Sequence, residues 1–189
     1  AEVEEVLMGT VLEGVPVVPV SGATGEGLPE LVSSIEGLLQ DTEPRKDLGR
    51  PRLPIDRSFT MSGFGTVVTG TLIDGGLGVG QEVELALAGR TTRIRGLQTH
   101  RHKLGRATPG SRVAANLTGV SYEDIGRGEV LTNPGWLRPT TALDVHLRVI
   151  PDAPRSVRHN MFATVHTGSS ERVVRVRLLE KDVVHPGES

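Results

Sequence analysis

The chain contains no cysteine, which excludes disulfide cross-links and thiolate chemistry and fits a reducing compartment. Aromatic residues make up only 3% of it, so a core must be built from Val, Leu and Ile. No apolar run approaches the roughly 20 residues that a membrane-spanning helix requires, and no signal-peptide pattern opens the sequence. Lysine is scarce: Lys46, Lys103 and Lys181 are the only three, so the 21 basic residues are mostly arginine. Arginine offers a planar fork suited to phosphate and carboxylate.

The 189 residues suffice for one large domain or one and a half ordinary ones. The sequence begins at Ala1 and closes on Gly187-Glu188-Ser189 without a final element, which suggests a piece of a longer protein. Charge is unevenly spread. Residues 1–50 hold ten acidic and three basic residues, a formal −7, and the remainder holds 13 acidic and 18 basic, a formal +5. A basic half suits an RNA-facing surface, and it equally suits ordinary solvation.

The most informative stretch is Leu53 to Leu72, LPIDRSFTMSGFGTVVTGTL. Leu53, Ile55 and Arg57 alternate with Pro54, Asp56 and Ser58, and β-branched Thr66-Val67-Val68-Thr69 resumes after Ser62-Gly63-Phe64-Gly65. Two strands meeting at a glycine-spaced corner are expected. A nucleotide loop is not, because no third glycine stands at Val68 and no Lys-Ser/Thr comes after it. The glycines lead into another strand, which leaves no helix N-terminus to hold a phosphate.

Before this stretch, Glu2 to Met8 reads as the end of a helix, and Val15-Pro16-Val17-Val18-Pro19-Val20 as a buried strand. Ser21-Gly22-Ala23-Thr24-Gly25-Glu26-Gly27 reads as a loop. A helix opening at Pro29 then puts Leu28, Leu31, Val32, Ile35, Leu38 and Leu39 on one face. Polar, proline-bearing Asp41 to Pro51 reads as a linker. Short strands separated by Asp74-Gly75-Gly76, Ala88-Gly89 and Thr108-Pro109-Gly110 then argue for a barrel or sandwich. Asn133-Pro134-Gly135 marks a second boundary. Beyond it, Thr141 to Ile150, Phe162 to Thr167 and Arg172 to Leu179 read as strands.

Phe64-Gly65-Thr66-Val67-Val68-Thr69-Gly70 resembles the opening of the second domain of translational GTPases of the elongation-factor-Tu type. With Ile55-Asp56-Arg57-Ser58-Phe59 before it, the resemblance is closest to the selenocysteine-specific elongation factors. Arg95 to His100, Gly110 to Leu117 and Arg127 to Leu131 resemble the same family, so the likeness covers nearly the whole chain.

The resemblance implies a mainly β fold in four segments. They are the C-terminal part of an α/β G domain (1–43), a linker (44–51), a β-barrel domain 2 (52–135) and part of a second β-barrel, domain 3 (138–189). Ser21, Gly22 and Ala23 resemble the fifth guanine motif, whose backbone contacts the base. The phosphate loop, Asp-x-x-Gly and Asn-Lys-x-Asp do not occur. The longer parent is therefore expected to be a GTPase using GTP and Mg²⁺, while this segment alone is expected to need no cofactor and to be inactive.

The implied partners are selenocysteinyl-tRNA, the ribosome and, through the missing part of the G domain, GTP, in a cytoplasmic protein without a membrane. Asp56, Arg57 and Arg112 match positions implicated in the aminoacyl pocket. Arg57 and Arg112 would attract a selenolate, and Asp56 would orient an arginine or hold the α-amino group. Read from the residues alone, Asp56-Arg57 is also an ion pair at a barrel rim. No metal site is expected: His100 and His102 lack a third ligand and read as solvated or in contact with RNA backbone. Arg155, Arg158, Arg172, Arg175 and Arg177 would position a tRNA stem through phosphates. Two other readings stay open, a Tu-like or initiation-type GTPase and a β-barrel scaffold that binds proteins and no RNA.

Overall fold

Helix is confined to the early part of the chain in the computed structural model, which describes residues 2–189, apart from a short 3-10 turn at Tyr122–Asp124. Helix α1 is Glu2–Leu7 and α2 is Leu28–Gln40. Pro29 lies in the first turn of α2, where its missing N–H costs nothing. The expected apolar stripe is present, but it is exposed: Leu28, Val32, Ile35, Leu38 and Leu39 all face solvent.

The expected strand at Val15–Val20 does not form. The segment is extended and unpaired, and Val15, Val17 and Val20 are exposed. A parallel strand is stabilised by neighbours at its edges and layers on its faces. The compact unit that contains it, Ala1–Pro44, has no second strand among its described residues.

The other compact unit, Arg45–Ser189, is built from strands. They are β1 (Arg52–Met61), β2 (Gly65–Thr71), β3 (Leu77–Gly78), β4 (Glu82–Leu85), β5 (Arg90–Thr99), β6 (His102–Leu104), β7 (Arg106–Ala107), β8 (Arg112–Leu117) and β9 (Val130–Thr132). After these come β10 (Val157–Arg158), β11 (Phe162–Thr167), β12 (Ser170–Arg175) and β13 (Val183–Val184). The order β4-β9-β1-β2-β8-β5, with β5 pairing back onto β4, closes a six-stranded antiparallel barrel. Closure gives each of these six strands a neighbour on both sides.

Alternation sets the interior. Val113, Ala115 and Leu117 of β8 point inward with Leu53, Ile55, Val68, Leu85, Ile94 and Leu131. Arg112, Ala114 and Asn116 are at the surface or only half-buried. Gly70 allows β2 to lie against β1, since a Cβ there would come within 2.2 Å of the Pro54 carbonyl oxygen.

The stretch expected as a linker is pinned along its second half. The Asp47 carboxylate accepts from the Gly49 and Gly76 amides and from Arg106 at 3.0 Å. The Leu48 and Arg50 amides donate to the Asp74 carbonyl.

Past Asn133-Pro134-Gly135, β11 and β12 form a hairpin, and β10 pairs with β13. Thr141 to Ile150, expected as a strand, joins no sheet. Only Val149 makes paired backbone bonds, with Gly187 and Glu188, and one residue's bonds do not make a ladder.

Candidate functional site

Strand β1 does not keep the register its alternation suggests. Ile55 pairs with Gly70 and Arg57 pairs with Thr69, so Asp56 is the extra residue of a β-bulge. The bulge places the Asp56 carboxylate over the neighbouring strand, where the Thr69 hydroxyl donates to it at 2.9 Å. On the far side of β2, Arg112 at the start of β8 forms a salt bridge with the same carboxylate. Asp56 therefore ties three adjacent strands together at their outer surface.

The electrostatics are set by that contact. Burial alone would push the Asp56 carboxyl up. Hydrogen bonds from Arg112 and Thr69, with the charges of Arg112 and Arg57, outweigh it and hold the group below the usual carboxylate range. Arg112 is pushed up in turn by its hydrogen bond to Asp56. Arg57 is exposed and forms no salt bridge among the described residues. With Asp56 matched to Arg112, the charge of Arg57 is left over.

Arg57 and Arg112 line one open groove of about 640 Å³ together with Phe59, Thr69, Gln98 and Thr99. His100 and Arg101, which also line it, form the two-residue turn between β5 and β6. Both have positive φ, 46° and 67°, as a type I′ hairpin turn demands, although neither is the glycine or asparagine that adopts it cheaply. The Thr99 hydroxyl donates to the Arg112 carbonyl at 2.7 Å and fixes this turn beside the salt bridge.

Asp56, Arg57 and Arg112, singled out in the sequence, are thus brought together. Thr69, Thr99 and the groove-facing role of His100 and Arg101 escaped sequence reading. No sequence signal marks the last two, because neither His100 nor Arg101 is the Gly or Asn that announces a two-residue hairpin turn. Ser21, Gly22 and Ala23 lie in the other compact unit, in a turn organised by the Ser21 side chain, whose oxygen accepts from the Thr24 amide at 3.2 Å. Gly22 and Ala23 are exposed there.

Residues 65–132 match the family model for elongation factor Tu domain 2. The barrel belongs to the elongation factor Tu domain 2 family. Over the whole chain, the sequence is 41% identical to the selenocysteine-specific elongation factor of Desulfomicrobium baculatum, covering 30% of that protein. It is 32% identical to elongation factor 1-alpha of Staphylothermus marinus, across 90% of this chain and 42% of that one.

The crystal structure of bacterial selenocysteine-specific elongation factor EF-Sec superposes with a TM-score of 0.75 at 25% identity, over 96% of this chain and 30% of its own. The chain thus spans less than half the length of these relatives. Its homologues are elongation factors, selenocysteine-specific ones among them, and the domain 2 barrel carries the groove between Arg57 and Arg112.

Proposed function

We propose that this chain is the middle of a GTP-dependent elongation factor that delivers selenocysteinyl-tRNA to the ribosome, and that the barrel groove receives the aminoacyl end. The observation that carries this reading is the arrangement of three charges. Asp56 orients Arg112, while Arg57, which forms no salt bridge among the described residues, stands on the same groove. A selenol is more acidic than a thiol, so a selenocysteine side chain is mostly anionic at neutral pH. Unmatched fixed charge favours it over the neutral hydroxyl of serine. A charge-assisted contact contributes about 1.5–3 kcal/mol when well formed, roughly ten- to a hundredfold in affinity.

On this reading residues 1–43 end a G domain, 44–51 link it to domain 2 at 52–135, and 138–189 begin a third, barrel-type domain of a cytoplasmic protein. Ser21, Gly22 and Ala23 would contact a guanine through their backbone. GTP supplies the parent with its switch, and Mg²⁺ would accompany its phosphates. This sequence supplies none of the residues that hold either the phosphates or the ion. The arginines of the last segment would meet tRNA phosphates.

The test is a comparison of selenocysteinyl- and seryl-tRNA affinities for the factor carrying this segment. Arg57→Ala should shrink the preference for the selenocysteinyl form by roughly 1–3 kcal/mol and leave seryl-tRNA binding nearly unchanged. Arg112→Ala should act in the same direction, and Arg57→Lys should restore only part of the preference. Equal weakening of both tRNAs would favour a general elongation factor, the alternative raised by the elongation factor 1-alpha similarity.

A further inference from the structure

The tip of the β11–β12 hairpin is docked on the barrel beside the bulge. The Ser169 hydroxyl donates to the Ile55 carbonyl at 2.6 Å, across 114 residues of chain. The Gly128 amide donates to the same carbonyl at 3.2 Å, and the Ile55 amide donates to the Glu129 carbonyl at 2.8 Å. Arg127 Nε donates to the Ser169 carbonyl at 3.1 Å. Both backbone groups of Ile55 are thus held, and both lone pairs of its carbonyl are occupied.

The approach leaves little room for side chains at two glycines. A Cβ on Gly128 would fall 2.8–2.9 Å from Ser170, and one on Gly168 would fall 3.1 Å from Pro54. Gly128 (φ 91°) and Gly168 (φ 56°) are also left-handed, so glycine suits both positions twice over.

Ile55 is the residue immediately before Asp56, the bulge residue that meets Arg112. A bulge interrupts the ladder, so the backbone there depends on partners outside the sheet. We infer that Ser169 is a positioning residue for the groove: its hydroxyl fixes the Ile55 carbonyl and so sets the bulge that presents Asp56 to Arg112. A contact from the segment after Asn133 then governs a charge pair on the barrel surface. Its effect on aminoacyl recognition rests on the proposed function of the groove, but the placement of Asp56 does not.

The experiment tracks the Asp56 side-chain carboxyl by carbon-detected NMR titration in the full 189-residue chain, with Asp47 as an internal reference. Ser169→Ala should shift the Asp56 midpoint upward toward an ordinary carboxylate, with Asp47 unmoved. Ser169→Thr, which keeps the hydroxyl, should restore it. A role in stability alone would lower the melting temperature and leave both midpoints in place, which overturns the inference. Should Ser169→Ala not fold, Arg127→Gln loosens the same tip from its exposed side. It should raise the Asp56 midpoint by a smaller amount, and no movement would likewise overturn the inference.

In Ser169→Ala the selenocysteinyl-over-seryl preference should fall about two- to tenfold, the range for one lost neutral hydrogen bond, and Ser169→Thr should restore it. A shifted Asp56 midpoint with an unchanged tRNA preference would uphold the positioning role and reject the aminoacyl reading of the groove.

Discussion

Asp56 and Arg112, 56 residues apart in sequence, form a salt bridge across the intervening strand β2. The contact exists because Asp56 is the extra residue of a bulge, which gives it a place outside the regular ladder. Thr69, on the strand between them, donates the second hydrogen bond that keeps the carboxylate ionised.

The first prediction is a pH dependence. The folded-state pKa of Asp56 lies below its ordinary value, so its contribution to stability is fully present above the unfolded pKa of about 3.9. That contribution is lost as pH falls through the folded value. Urea midpoints measured from about pH 5 downward should therefore fall more steeply in the wild type than in Asp56→Asn. Parallel acid limbs would mean that the pair contributes nothing to folding.

Glu129 supports a different prediction. Its carboxylate is buried, and it accepts from the amides of Leu87 at 2.7 Å, Ala88 at 3.1 Å and Val130 at 2.9 Å. It ties the β4–β5 turn to β9. Glu129→Ala should destabilise by roughly 2 kcal/mol, because three hydrogen bonds to a buried acceptor are lost together and each contributes about 0.5–1.5 kcal/mol. Glu129→Gln, which keeps one acceptor oxygen, should cost less. Equilibrium urea unfolding distinguishes the two.

Gly70→Ala should be among the more damaging single methyl additions. The new Cβ would meet the Pro54 carbonyl oxygen at 2.2 Å inside a strand pair. Forcing the strands apart should cost about 1–3 kcal/mol, as overpacking does. Gly96→Ala, with nothing within 4 Å of its Cβ, should stay within about 0.5 kcal/mol. Thermal melts of the two variants that coincide would contradict this contrast.

Binding of tRNA to the chain should be weak and strongly salt-dependent, driven by the formal +5 of residues 51–189. Each phosphate neutralised should add about −0.7 to −0.9 to the log-log slope of affinity against salt. Filter binding at several salt concentrations measures that slope. A flat response would favour a protein-binding barrel.

Features legible in the sequence were local ones or those carried by long matching motifs. The corner from Leu53 to Leu72, the helix opening at Pro29 and the turns at Asp74-Gly75-Gly76 and Thr108-Pro109-Gly110 all appear where residue type and turn chemistry put them. The barrel family was legible from Phe64 to Gly70, and Asp56, Arg57 and Arg112 were legible as a group. Long-range pairing settled the rest. Val15–Val20 and Thr141–Ile150 have strand-like residues and form no strand, because a strand is made by its partners and apolar character alone supplies none. The bulge at Asp56 and the left-handed turn at His100-Arg101 shape the groove, and no periodicity marks either. Ser169 reaches Ile55 only because the chain folds back on itself. A residue's chemistry is written in its own side chain, but the neighbours that turn that chemistry into a site are chosen by strand pairing and packing across the whole fold.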